Sequence, residues 1–97
     1  PVFADPLALS AEQWSRSRTG EALVRQPVLV QTLQALERES DGVIVLAHAT
    51  SEAGQLWAEE LRAWFVALGV SSARIRLVAR PELKDVLTLD VRKQADL

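Results

Sequence analysis

The chain has 97 residues, 48% of them hydrophobic and 25% charged, with a formal net charge of −2 and no cysteine. That length suits one domain with its own core, and that composition is too apolar for disorder. The lack of thiols excludes disulfides, thiolate metal sites and cysteine nucleophiles. The negative balance gives no electrostatic basis for binding nucleic acid, and no apolar run is long enough to span a bilayer.

In chain order, residues 1–13 read as an N-terminal arm. Pro1 to Leu9 hold two prolines and little periodicity. Val2-Phe3-Ala4 has the small-x-Ala form of a signal-peptidase site, from which export to the periplasm is expected. Two readings stay open from Ser10 to Glu21. Ser10 with Gln13 has the spacing of a helix capping box, whereas Trp14 to Arg18 alternates as an edge strand would. Pro27 suits the first turn of a helix whose stripe is Leu29, Leu33 and Leu36. Ser40-Asp41-Gly42 is expected to end that helix, with Gly42 left-handed.

Val43 to Ala47 is wholly apolar and rich in β-branched residues, the mark of a buried central strand. Ser51 is an N-cap candidate, and Glu52 suits the positive end of the next helix. Trp57, Leu61, Trp64, Phe65 and Leu68 share one stripe of that helix, and Gly69 closes it. Ala73 to Val78 alternates, with Ile75 and Leu77 opposed to Arg74 and Arg76. Residues 81–85 form a connection. Leu87, Leu89 and Val91 then alternate with Thr88, Asp90 and Arg92, and residues 93–97 read as a frayed C-terminus.

These elements predict a single α/β (α+β) domain over residues 14–92. It is a two-layer sandwich with helices on one face of a small mixed sheet, in the order (β)-α-β-α-β-β. The long crossover helix makes its two strands parallel. The last two strands are expected to pair as a hairpin, with Arg74 opposite Asp90 and Arg76 opposite Thr88. The central strand is apolar on both faces, so its far side needs a cover. The arm, with Phe3, Leu7 and Leu9, is favoured over a second copy of the chain.

The stretch HATSEAG (residues 48–54) holds the one histidine of the chain, at a strand end facing a helix start, where ligands collect in open α/β sheets. His48, Thr50 and Ser51 are its candidate ligand contacts. The plainer reading makes His48 a turn histidine bonded to backbone and gives Thr50 and Ser51 a capping role. No triad or metal-ligand spacing surrounds His48, so no catalytic residue, metal or cofactor is assigned. Trp57 and Trp64 read as core. Trp14, outside any strong stripe, is expected to be exposed and to contact a partner. Glu59, Glu60 and Arg62 read as a solvated helix face, and Arg16, Arg18 and Arg25 as a local basic group balanced by Glu12 and Glu21.

Two segments, VIVLAHATSEAG (residues 43–54) and LRAWFVALGVSSARI (residues 61–75), resemble the OmpA-like peptidoglycan-associating domain of bacterial envelopes. The first is similar to that family's apolar strand and its Gly-His-Thr-Asp turn, the second to its helix end and following Arg-Ile. The resemblance implies the OmpA-like fold and an envelope setting. In that family an Asp in the turn and an Arg early in the helix grip diaminopimelate. Here Thr50 stands at the Asp position and Trp57 at the Arg position, and Arg62 is the nearest replacement on the helix. A hydroxyl and an indole cannot form those charge-assisted bonds.

The function expected is therefore a small non-enzymatic envelope module, monomer or homodimer, acting on an envelope protein. A divergent peptidoglycan-binding domain using His48, Thr50, Ser51 and Arg62 is the alternative. A small hydrolase-like enzyme with His48 as base is the third reading.

Overall fold

A computed structural model describes residues 6–16, 20–23 and 25–96. Strands β1 (Leu7–Ser10), β2 (Gly42–His48), β3 (Ile75–Ala79) and β4 (Val86–Lys93) form one mixed sheet in the order β1-β4-β2-β3. Helices α1 (Ala11–Arg16), α2 (Gly20–Leu23), α3 (Pro27–Arg38) and α4 (Glu52–Ala67) complete a mixed α+β domain.

Local chemistry accounts for most of the helix ends. Ser10 Oγ accepts the Gln13 N–H at 3.1 Å, and Gln13 Oε1 accepts the Ser10 N–H at 2.9 Å. This reciprocal capping box opens α1, so Trp14 is helical, while residues 17 and 18 of the edge-strand reading lie outside the described residues. Pro27 opens α3, and the Gln26 side chain accepts the Val28 N–H at 2.8 Å. Gly69, at φ 103°, closes α4, where the Val70 N–H reaches back to the Phe65 carbonyl at 3.0 Å and the Gly69 N–H to that of Val66 at 3.0 Å. That is a Schellman stop, and Val70 tucks into the core behind it.

Gly42 behaves differently from its expectation. It is the first residue of β2 and has no positive φ. A Cβ there would lie 3.0 Å from both the Cβ and the carbonyl oxygen of Glu39, so glycine is favoured by a tight approach rather than by a left-handed turn.

β2 and β3 run parallel, with Ile44 opposite Ile75 and Leu46 opposite Leu77, as the crossover helix requires. The expected hairpin of the last two strands does not form. β4 crosses to the other side of β2 and pairs antiparallel with it, Val91 opposite Ile44 and Leu89 opposite Leu46. Asp90 therefore faces Val45, and Thr88 faces Ala47, instead of the arginines. The most apolar strand needs neighbours on both edges. β4, with Leu87, Leu89 and Val91 all fully buried, suits a central place that the more exposed β3 does not.

Segments expected at the margins are part of the fold. Leu7 and Leu9 do not cover the far face of the sheet. They form β1, beside β4, with Leu9 opposite Leu87 and fully buried on the core side. Phe3 and the signal-peptidase motif lie outside the described residues. At the other end Gln94–Asp96 is a 3₁₀ turn anchored by the Gln94 N–H on the Asp41 carbonyl at 2.9 Å.

The core joins Leu29, Ala35 and Leu36 of α3 and Ala58, Leu61 and Phe65 of α4 to one row of each strand. The other row of β2, Val43, Val45 and Ala47, contributes nothing to that cluster. Arg74 is not a strand residue. It lies in the 3₁₀ turn Ser72–Arg74 and donates from Nε to the Gly42 carbonyl at 2.9 Å and from Nη2 to the carbonyls of Glu39 at 2.8 Å and Leu36 at 3.3 Å. A cation thus meets the negative end of α3 and joins it to the start of β2.

Candidate functional site

The C-terminal ends of parallel β2 and β3 open at the same end of the sheet as the N-terminus of α4. Three pieces of chain meet there: residues 48–51, the first turn of α4, and the connection from Arg80 to Asp85. His48, Thr50 and Ser51 are brought together by sequence and by this topology.

His48 is buried, at 7% exposure. Its Nδ1 lies 2.8 Å from the carbonyl oxygen of Ala49, so Nδ1–H is the donor and the ring serves its own turn. The ring is absent from the walls of both corner cavities. Ser51 caps α4, its Oγ accepting the Gly54 N–H at 3.1 Å. Ser51→Ala is expected to cost about 1 kcal/mol of stability, the ordinary value of such a cap, measurable by urea unfolding. Thr50 is exposed on the rim.

Two cavities flank this turn. The smaller, of about 140 Å³, lies between Gly54 and Trp57 of α4 and Asp85 and Val86. It has room for a few waters at about 30 Å³ each, and it falls below the range of small-molecule pockets. The larger, of about 370 Å³, is an open hollow between Thr50, Ser51, Pro81 and Lys84. Lys84 and Asp85 were not singled out in the sequence. The signal that could have found them is topological, because the loop after β3 must end beside the loop after its parallel neighbour. Asp85 holds a left-handed φ of 52°, and its carbonyl accepts the Ala11 N–H at 2.9 Å.

Arg62 is not brought to the corner. It is exposed on α4, eleven residues past the cap, which is roughly 16 Å along the helix. Trp57 is half-buried, with its ring 6.4 Å from that of Trp14. Its Nε1 is buried without a hydrogen-bond partner among the described residues. Trp14 itself is buried at 6% exposure within the core, contrary to the expectation of a partner-facing tryptophan. A six-residue helix carries too little sequence for its stripe to be read, and the wall that covers Trp14 comes from α4.

The far face of the sheet carries a different set of groups. Val45, Ala47 and Val78 line the floor of a trough of about 380 Å³, bordered by Arg80, Asp90 and Arg92. Asp90 Oδ2 accepts from Arg92 Nε at 2.8 Å, while Oδ1 is buried without a partner among the described residues. Among the described residues no group of three or more His, Asp or Glu side chains could hold a metal ion. None of the described helices is long and apolar enough to cross a membrane.

No protein-family model matches the chain, and neither a curated protein nor a solved structure matches it.

Proposed function

We propose that this chain is a small non-enzymatic module of the bacterial cell envelope, residing in the periplasm, with an OmpA-like two-layer α/β fold. It acts by contact with another protein and binds no cofactor. The observation that carries this reading is how the corner groups are used. The His48 imidazole and the Ser51 hydroxyl bond their own backbone, and, if the OmpA-like resemblance holds, the exposed Thr50 and the half-buried Trp57 take the positions of that family's carboxylate and guanidinium, which neither can replace in gripping an amino-acid zwitterion. A general base needs a reactant within hydrogen-bond reach, and the buried His48 ring borders neither corner cavity. Arg62, the remaining cation of the peptidoglycan alternative, projects too far along α4 to share a ligand with Thr50.

Co-sedimentation with purified peptidoglycan sacculi is the discriminating experiment, run beside chemical cross-linking in envelope extract. The chain is expected to stay in the supernatant and to cross-link to a defined protein. Pelleting that is lost on Arg62→Ala would replace this reading by the peptidoglycan-binding one.

A further inference from the structure

Among the described residues β3 is an edge strand, paired with β2 on one side and with no strand on the other. The Arg80 N–H donates to the His48 carbonyl at 2.8 Å, so the even-numbered residues of this stretch bond toward β2. The odd-numbered ones turn their N–H and C=O groups outward, because both groups of a strand residue point to the same side. The Ile75 N–H is taken by the Ser72 carbonyl, which leaves those of Leu77 and Ala79 along the open edge.

On the face away from the core the strand presents Arg76 and Val78, and Arg80, one residue past its end and still bonded to His48, continues the alternation. Both arginines are exposed, and neither guanidinium has a hydrogen-bond or ion-pair partner among the described residues. Asp90, the acid that lines the adjoining trough, is buried and engaged by Arg92. A chain of net charge −2 thus carries on its open sheet edge two arginines without a partner among the described residues.

We propose that this edge takes an extended acidic segment of a partner protein by strand addition. Main-chain bonds form at Leu77 and Ala79. Two partner carboxylates four residues apart face Arg76 and Arg80, and an aliphatic residue between them lies on Val78. Four strand residues span about 13 Å in both chains, so the two charges match in register. A second copy of this chain does not fit the same edge. Two β3 strands paired antiparallel about Val78 set Arg76 of each copy against Arg80 of the other, and like charges directly opposite are destabilising. The charge pattern that deters self-pairing is the one that selects an acidic strand. The inference rests on the protein-contact reading above and names the chemistry of the partner.

The test uses the full chain and the capped peptide Thr-Glu-Thr-Val-Thr-Glu-Thr, with Gln and Lys counterparts at both Glu positions, followed by amide NMR. The Glu peptide is expected to shift the Leu77 and Ala79 amides and to weaken with salt. The Gln peptide is expected to bind between about twofold and thirtyfold more weakly, the range two exposed ion pairs span. Arg76→Glu with Arg80→Glu should reverse the preference toward the Lys peptide, the Ile44 and Leu46 amides reporting an intact core. Arg76→Gln with Arg80→Gln should abolish the difference between the Glu and Gln peptides. Equal affinity for all three peptides, shifts mapping elsewhere, or β3 shifts on concentrating the chain alone would each overturn the proposal. If the peptides leave β3 unmoved while a cross-linked protein partner persists, the edge assignment falls and the module reading stands. If the Glu peptide binds at β3 while the chain pellets with sacculi through Arg62, the module reading falls and the edge stands.

Discussion

Arg74→Ala is expected to destabilise the fold by about 2–4 kcal/mol, since hydrogen bonds to a charged group contribute about 1.5–3 kcal/mol each and do not add fully. The guanidinium donates to the carbonyls of Leu36, Glu39 and Gly42, three groups from the end of one helix and the start of the central strand. The Leu36 carbonyl also accepts the Glu39 N–H at 3.2 Å, so this terminus has a backbone bond of its own besides. Arg74→Lys should recover less than half of the loss. An ammonium is a compact point donor and cannot reach three carbonyls with the geometry of a planar fork. Urea unfolding with an unchanged denaturant slope is the measurement. A loss below about 1 kcal/mol would mean that water serves those carbonyls adequately once the side chain is gone.

Gly54→Ala should also lose stability, by about 1–3 kcal/mol, although alanine in a helix interior is normally favoured over glycine by about 1 kcal/mol. The reason is contact. A Cβ at this position would sit 2.6 Å from the carbonyl oxygen and 2.8 Å from the Cβ of Ala49, so the first turn of α4 packs directly on the turn that follows β2. Both neighbours belong to backbone or to a side chain without torsional freedom, and relief requires the helix to move. Ala63→Gly, at an exposed site on the same helix, serves as the control and should lose about 1 kcal/mol from propensity alone. The two substitutions run in opposite directions chemically and should destabilise alike. A stabilised Gly54→Ala protein would show that the corner can open without cost.

Gly54 and Arg74 share a feature that bears on the functional proposals. Each holds in place an element adjoining the places where function is proposed. Gly54 sets the distance between α4 and the corner of His48, Thr50 and Ser51, and closes the small cavity beside Trp57. Arg74 fixes the turn that leads into β3, immediately before the edge whose Arg76 and Arg80 are proposed to receive an acidic strand. Loss of either residue is therefore expected to disturb its neighbouring surface through position, without any direct contact to a ligand.

Much of the fold was legible one element at a time. Pro27, Ser51 and Gly69 marked helix ends because capping depends on groups within a few residues. The apolar run of β2 and the alternation of β4 were legible because side chains alternate between two faces whatever the partner strand is. Partner choice was not. The short connection after β3 suggested a hairpin, and the sheet was decided by the need of β2 for an apolar neighbour on its second edge. Arg74 alternated with Ile75 as a strand residue should, yet its side chain serves carbonyls more than thirty residues away in sequence. At the corner, the roles of Ser51 and His48 and the distance of Arg62 along its helix were local and readable, whereas the closeness of Lys84 depended on where the loop after β3 lies.

The sequence by itself determined where α3 and α4 start and where α4 stops, which rows of β3 and β4 are apolar, and that β2, α4 and β3 make a parallel strand-helix-strand unit. All of these follow from interactions within a turn or a pleat. Only the tertiary structure decided that β4 lies between β1 and β2, that Trp14 is packed against Trp57, and that among the described residues β3 is left as an edge with two arginines without a partner. Those outcomes depend on which apolar surfaces compete for the same neighbour. That competition is settled by burial summed over the whole domain, and no window of sequence contains it.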